Sequence, residues 1–545
     1  MPTNFLVLVP PILVLIIAFF IKNIRIALVS GILAAALILN NFFIIDSLKT
    51  VFYRFIKTME LANLTSWAKF WECNYLFILL FLLVLGVIIS ILEHSGSAFA
   101  YGNFIKQKLK SARSAECASL FLSLFFFIDD DFGSLTVGSV MQPVTDMFKI
   151  PRIKLGLLVN SIAVPSATLI PLSSWVATIM GQLHQTGVSM NADAKTIILC
   201  DPFFTYLKTM PFLFYGLIIV LSVWFIVLRR ISYGIIAKHE HIAQTTGTLF
   251  GGKAAIIRTK QATHTETNST LFDFIFPIAL LVILSIFEIL RGGDFYLFGG
   301  DSGLIEVLAY SNIPAALFKG GLATVLITTI YFLVRKAIKF SSLPRYIVEG
   351  VNMMKPAVII LILIWTFSGI LRADLQIGDF IAKHLIGSIS MNFLPLIFFI
   401  TAVLIAMLIG SAWGTFGLLI PIGLPLVVTL SKLITPVTPD QIQLIYPLLG
   451  AIISGSVAGT HLSPISHVML MSATSTACYH IDLVKAQISF AIPAIISTAS
   501  AFLLIGLMLQ HGYCLKYSLV ASFVLGVMLN FAMLSILGWF NKYKQ

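Results

Sequence analysis

Charge is what this sequence has least of. Lys, Arg, Asp and Glu make up 11% of the 545 residues, whereas a soluble domain carries about 25%. That shortage excludes a large water-soluble domain and leaves most of the surface to face lipid. Cysteine is scarce too: Cys73, Cys117, Cys200, Cys478 and Cys514 are an odd count with no CxxC spacing. They read as packing residues and not as zinc ligands or a disulfide framework. A Walker lysine motif and a glycine-rich nucleotide fingerprint are both missing, so ATP-driven work has no support. No basic residue precedes the first apolar run, Phe5 to Ile21, and no small-residue cleavage site follows it. It reads as an uncleaved span and not as a leader.

What fills the chain instead is apolar. Hydrophobic residues account for 58% of it and the mean hydropathy is +0.99. At roughly 20 residues per span, about 11–14 transmembrane segments fit. Uninterrupted runs lie at 5–21, 26–45, 74–92, 205–228, 272–290, 318–334, 356–371, 485–508 and 515–538. The net charge of +12 then reads as basic cytoplasmic loops and not as a nucleic-acid surface. Such loops are Lys22 with Arg25, Lys106 to Arg113, Lys149 to Lys154, and Arg335 to Lys355; the acidic stretch 291–306 reads as external. The longest polar stretch, 229–270, is expected to be a cytoplasmic linker between a transmembrane half at 1–228 and a second at 271–545. Its His239-Glu240-His241 lacks a further ligand at helical spacing and reads as a solvated loop.

Four long apolar segments are interrupted. Segment 115–147 breaks at Asp129 to Ser134 and 155–182 at Asn160 to Pro165; 392–430 breaks at Gly410 to Thr415 and 441–476 at Gly459 to Pro464. Broken helix survives at membrane depth only where protein or a water-filled cavity satisfies the freed backbone. Matched breaks in two halves point to a transporter's binding site at the repeat interface. Basic clusters flank 115–147 on both sides, so it should enter and leave from the cytoplasm, whereas 392–430 should do so from outside. The expected fold is all-α integral membrane, with two inverted repeats of re-entrant hairpins and discontinuous helices.

These segments resemble the NhaC-type sodium/proton antiporter family. The likeness rests on Phe127-Ile128-Asp129-Asp130 through Gly138, Met141 to Asp146, Pro171-Leu172-Ser173-Ser174-Trp175, Trp365 to Ser368, Gly410 to Gly417, and His461-Leu462-Ser463-Pro464-Ile465-Ser466. The resemblance implies a secondary transporter of the ion transporter superfamily. The chain departs from that family's pattern at Asn160, Thr460 and His467, where the family carries acidic residues. It departs also at Asp131 and Gly133, where the family tends to show Tyr and Asn.

Asp129, Asp130 and Asp131 are the candidate ion or proton carriers. A carboxylate at mid-membrane depth costs roughly 2.5–3.5 kcal/mol, so intramembrane acids mark ion paths. Candidate lining residues are Asn160, Ser161, Ser411, Thr415, Thr460, His461, Ser463, Ser466 and His467. Each hydroxyl among them could equally cap a freed backbone group, and His467 could carry a proton or attract an anion. Trp175, Trp365 and Trp413 lie near the breaks and read as packing residues. No nucleophile–base or metal constellation is present, so an enzyme is not expected. The first expectation is monovalent cation (Na+)/proton antiport by alternating access. The alternative is proton- or sodium-coupled transport of a small organic acid or amino acid. The expected partners are a small ion or small-molecule substrate and the lipid bilayer, without nucleic acid and without a cofactor beyond Na+ or H+ as coupling ions. A multi-pass bacterial cytoplasmic (inner) membrane protein fits; oligomeric state, a homodimer included, stays open.

Overall fold

A computed structural model describes residues 5–542, apart from 22, 60–72, 98–99, 101–103, 105–107, 193–195, 256–268, 304–306, 308–310 and 386–389. Lys22, Lys106, Glu306 and most of the Gln261–Thr270 run therefore lie outside the described residues. The first half comprises α1 (Val9–Ile21), α2 (Ile24–Leu39), α3 (Ile44–Thr58), α4 (Asn74–His94), α5 (Ala112–Phe125), α6 (Asp130–Met147), α7 (Arg152–Leu169) and α8 (Ser174–Gln185). A two-stranded ladder, β1 (Val188–Ser189) with β2 (Ile198–Leu199), leads to α9 (Pro202–Thr209), α10 (Phe214–Arg229) and the linker helix α11 (Gly234–Thr246). The second half runs through α12 (Leu271–Gly292), α13 (Ile313–Val334), α14 (Leu343–Gly369), α15 (Ile377–Leu385), α16 (Leu394–Ile409) and α17 (Ala412–Leu430). It ends with α18 (Ile445–Leu462), α19 (His467–Ser475), α20 (His480–Gln510) and α21 (Leu515–Lys542).

Ten of these helical stretches are long and apolar enough to cross a membrane, and the bent pair α7–α8 makes up to eleven. That meets the lower end of the expected range. The first two helices fall short. At 13 and 16 residues they reach about 20 and 24 Å, less than the ~30 Å hydrocarbon core. The start of α2 packs against the second hairpin: a Cβ on Gly414 would meet Ile24 at 2.9 Å. Arg25 thus sits beside a hairpin tip, not in the cytoplasmic loop expected for it.

Two hairpins, α5–α6 and α16–α17, point at each other from opposite faces. The base of the first is fixed by Arg152, which donates to Asp146 at 2.8 Å. From there α7 and α8, bent by 49°, carry the chain across to the 186–201 loop. That loop joins the base of the second hairpin, where the Leu199 amide donates to the Val437 carbonyl at 2.8 Å and Val437 donates to Ile197 at 3.0 Å. The bases therefore lie at opposite ends of one crossing pair, which is the inversion that loop charge predicts.

Prolines shape the bundle. A proline removes the N–H that would bond the carbonyl four residues earlier. In hydrocarbon that oxygen must find another donor. Pro421 frees the Gly417 carbonyl, and Gln182 of α8 donates to it at 3.1 Å. Pro493 frees that of Ser489, and the Tyr233 hydroxyl donates to it at 3.4 Å. Close packing adds to this: Gly455 and Gly459 of α18 lie against α16, where an added Cβ would stand 2.4 Å from the Phe399 carbonyl and 2.5 Å from that of Val403. Small residues four apart let two backbones approach where lipid supplies no hydrophobic drive.

Candidate functional site

Each hairpin tip rests on the broken helix of its own half. In the first half α7 runs on through Asn160 and Pro165, and the break falls at residues 170–173. The expected break at Asn160 to Pro165 is therefore corrected. The reason is the supply of donors: after Leu169 the Ala167 carbonyl accepts from Ser173 Oγ and the Thr168 carbonyl from the Tyr206 hydroxyl. The Ser174 amide then donates to the Ile128 carbonyl at 2.9 Å, joining the break to the first tip. In the second half the break lies at residues 463–466, after Leu462, close to its expected place. Gly410, at φ +73°, turns the second hairpin; a Cβ there would approach Ile465 at 2.8 Å.

The three aspartates face three ways. Asp129 caps α6, accepting from the Phe132 amide and from Ser174 Oγ, both at 3.1 Å. Asp130 accepts from Trp175 Nε1 at 3.0 Å. Both are buried, at 5% and 7% exposure, and among the described residues neither has a cationic partner. Asp131 is half-exposed and stands 3.8 Å from His467 Nδ1 at the start of α19. Among the described residues no three His, Cys, Asp or Glu side chains gather as a metal-binding group. The triad is thus one dry pair plus one residue on the wall of the opposite half.

Trp175 links the tips. Its indole donates to Asp130, its ring meets Trp413 of the second hairpin edge-on at 6.0 Å, and Phe416 lies 5.8 Å away. Further cross-half contacts run from Ser475 Oγ to the Ser134 carbonyl at 2.7 Å and from Gln487 Nε2 to Ser161 Oγ at 3.0 Å. The lining candidates divide accordingly. Ser411 caps α17 by accepting from the Gly414 amide at 3.2 Å, Thr415 donates to the Ser411 carbonyl at 2.8 Å, and Thr460 donates to the Val457 carbonyl at 2.7 Å. Those three serve their own helices. Asn160 is 1% exposed, and among the described residues both its amide atoms and the buried Ser463 Oγ have no hydrogen-bond partner. His461 meets the Tyr215 hydroxyl through Nδ1 at 2.8 Å and lies against the Asn160 backbone. Ser466 is buried just ahead of α19, and His467 is exposed. Ser174, Tyr215 and Gln487 belong to the site without standing among the expected residues, and Trp175 does more than pack. Only Trp175 and Ser174 carry a signal in the sequence, lying within the Pro171–Trp175 motif.

Residues 166–507, more than half of the chain, match the family model described as Na+/H+ antiporter family. The chain belongs to that family. It is a secondary transporter of the NhaC type, and a multi-pass membrane protein. The matched region spans the second hairpin and both helix breaks and begins after Asp129 to Asp131. An uncharacterized protein of Haemophilus influenzae is 27% identical over 507 residues, spanning 92% of this chain and 90% of its own. Among solved structures the Alcanivorax borkumensis YdaH transporter, described as having an unusual topology, is similar with a TM-score of 0.53. It is 14% identical, over 86% of this chain and 90% of that one. At that identity the likeness is one of fold.

Proposed function

We propose that this antiporter-family transporter exchanges Na+ for protons by alternating access, with Asp129 and Asp130 as the shared exchange site. The observation that carries it is the charge balance. Two adjacent carboxylates, both buried, meet only neutral donors among the described residues: a backbone amide, a serine hydroxyl and an indole. Like charges this close in a low-dielectric enclosure need a proton or a metal cation between them. A site that must hold one or the other is an exchanger. Residues 1–228 and 271–545 act as its two halves, joined by 229–270, and alternating access moves the hairpin tips against each other. Asn160, Ser161 and Ser463 supply neutral oxygens along the path, and His461 and His467 offer proton acceptors beside it. The protein works in the cytoplasmic membrane of a bacterial cell and carries out no covalent chemistry on its substrate.

The test is reconstitution. Proteoliposomes loaded with a pH-sensitive dye should show proton movement when a NaCl gradient is imposed and little with choline chloride. Proton movement indifferent to every monovalent cation, with uptake of an organic solute in its place, would refute the proposal.

A further inference from the structure

A cavity of about 450 Å³ opens between the start of α7, the end of α10, the linker helix α11 and the end of α21. Lys154, Arg229, Arg230, Glu240, His241 and Trp539 stand on its wall. It lies between an exposed apolar surface and the polar linker. Leu228, Trp539 and Phe540, all more than half exposed, mark the lipid-facing side at the ends of α10 and α21. On the other side lies α11, the helix within the polar linker.

The charges around it do not cancel. Lys154 Nζ is bonded to Glu116 at 2.7 Å and to Glu240 at 2.6 Å, and Arg230 reaches Glu116 at 3.3 Å. Two carboxylates therefore face Lys154, Arg229 and Arg230, and one positive charge remains. Arg229 is exposed and makes no ion pair among the described residues. His241 lies on the same wall.

We infer that this cavity binds a singly negative phosphate group presented by an anionic phospholipid, with Arg229 as its main contact. Basic pockets between helices at the cytoplasmic face bind such headgroups. The volume admits a headgroup with room for water. The acyl chains would lie on the apolar surface of α10 and α21, and Trp539 sits where indoles mark the headgroup level. A role limited to complementing the negative C-terminal ends of α10 and α21 would need no cavity.

The experiment is a thermal-stability titration of the full-length protein in detergent with phosphatidylglycerol, with phosphatidylcholine, and with inorganic phosphate, repeated for Arg229→Gln and Arg229→Lys. Phosphatidylglycerol alone should stabilise the wild type. R229Q should weaken that binding about fivefold, the factor supplied by one basic residue near an anionic surface, and R229K should restore most of it. Four outcomes overturn the inference. They are no phosphatidylglycerol effect, an equal effect of inorganic phosphate, R229Q binding like the wild type, and R229Q losing the same stability with and without lipid.

Discussion

Replacing Asp130 by Asn removes one negative charge and little else. The amide oxygen can still accept from Trp175 Nε1 at the 3.0 Å separation seen for the carboxylate, and the two side chains have the same shape. What changes is the electrostatic cost of the site. A carboxylate held in the bilayer costs roughly 2.5–3.5 kcal/mol on insertion scales. Its place in the first turn of α6 offsets about 0.5–1 kcal/mol of that through the helix dipole. At alkaline pH without Na+, where neither a proton nor a cation offsets the second charge, the Asp130→Asn protein should therefore be about 2 kcal/mol more stable than the wild type, and at any pH it should lose Na+-dependent proton exchange. The assays are unfolding of the purified protein in detergent and the dye-loaded proteoliposome measurement at one lipid composition. Stability and activity should move in opposite directions. Exchange near the wild-type rate, or a drop in stability, would refute the view that this carboxylate is kept for its charge.

Three further outcomes follow from the geometry. Gly459→Ala places a methyl 2.5 Å from the Val403 carbonyl and should cost about 1–3 kcal/mol through overpacking, read as a lower melting temperature; an unchanged melt would show that α16 and α18 separate freely. Gln182→Leu leaves the Gly417 carbonyl without its cross-helix donor and should cost about 1–3 kcal/mol. Adding Pro421→Ala, which restores an N–H to that carbonyl, should recover part of the loss, and strict additivity in the double-mutant cycle would count against the pairing. Burial pushes the Asp201 carboxyl, outside the spans at the start of α9, up to about 7. Because the folded value lies above the unfolded one, this group's contribution is full below about pH 4 and is lost as pH rises through about 7. Asp201 keeps part of its surface in water, which trims the swing. Melting should be higher at acidic than at alkaline pH, with a flatter dependence in Asp201→Asn, and equal slopes in the two proteins would sink the assignment.

Hairpins and inversion are legible in the residues because their causes are local. Gly410 turns a chain that would otherwise stay helical, Asp129 supplies its own cap, and basic clusters orient the loops. The α7–α8 break is not legible, for a non-local reason. Pro165 looks like the interruption, yet the helix tolerates it and stops only where the Tyr206 hydroxyl, 38 residues downstream, can take the Thr168 carbonyl. Pro171, in the same motif, marks the true place. The aspartate run reads as one cluster in sequence, but a cap, a helix start and the next residue around the turn point in different directions, so the side chains part. Helix α11 is hidden in the linker because a short amphipathic helix of mixed polarity resembles a solvated loop. Short α1 and α2 look like ordinary spans because hydropathy reports apolarity and not where a turn is seated.

Consider what Trp175 means for motion. It lies in the first turn of α8, hydrogen-bonds one hairpin through its nitrogen and lies edge-on against the other through its ring. Neither tip can tilt without either stretching the bond to Asp130 or sliding an indole across Trp413. A displacement begun on one face of the membrane is thus felt on the other within a single side chain, and the proposed ion site and the barrier beside it share one pivot.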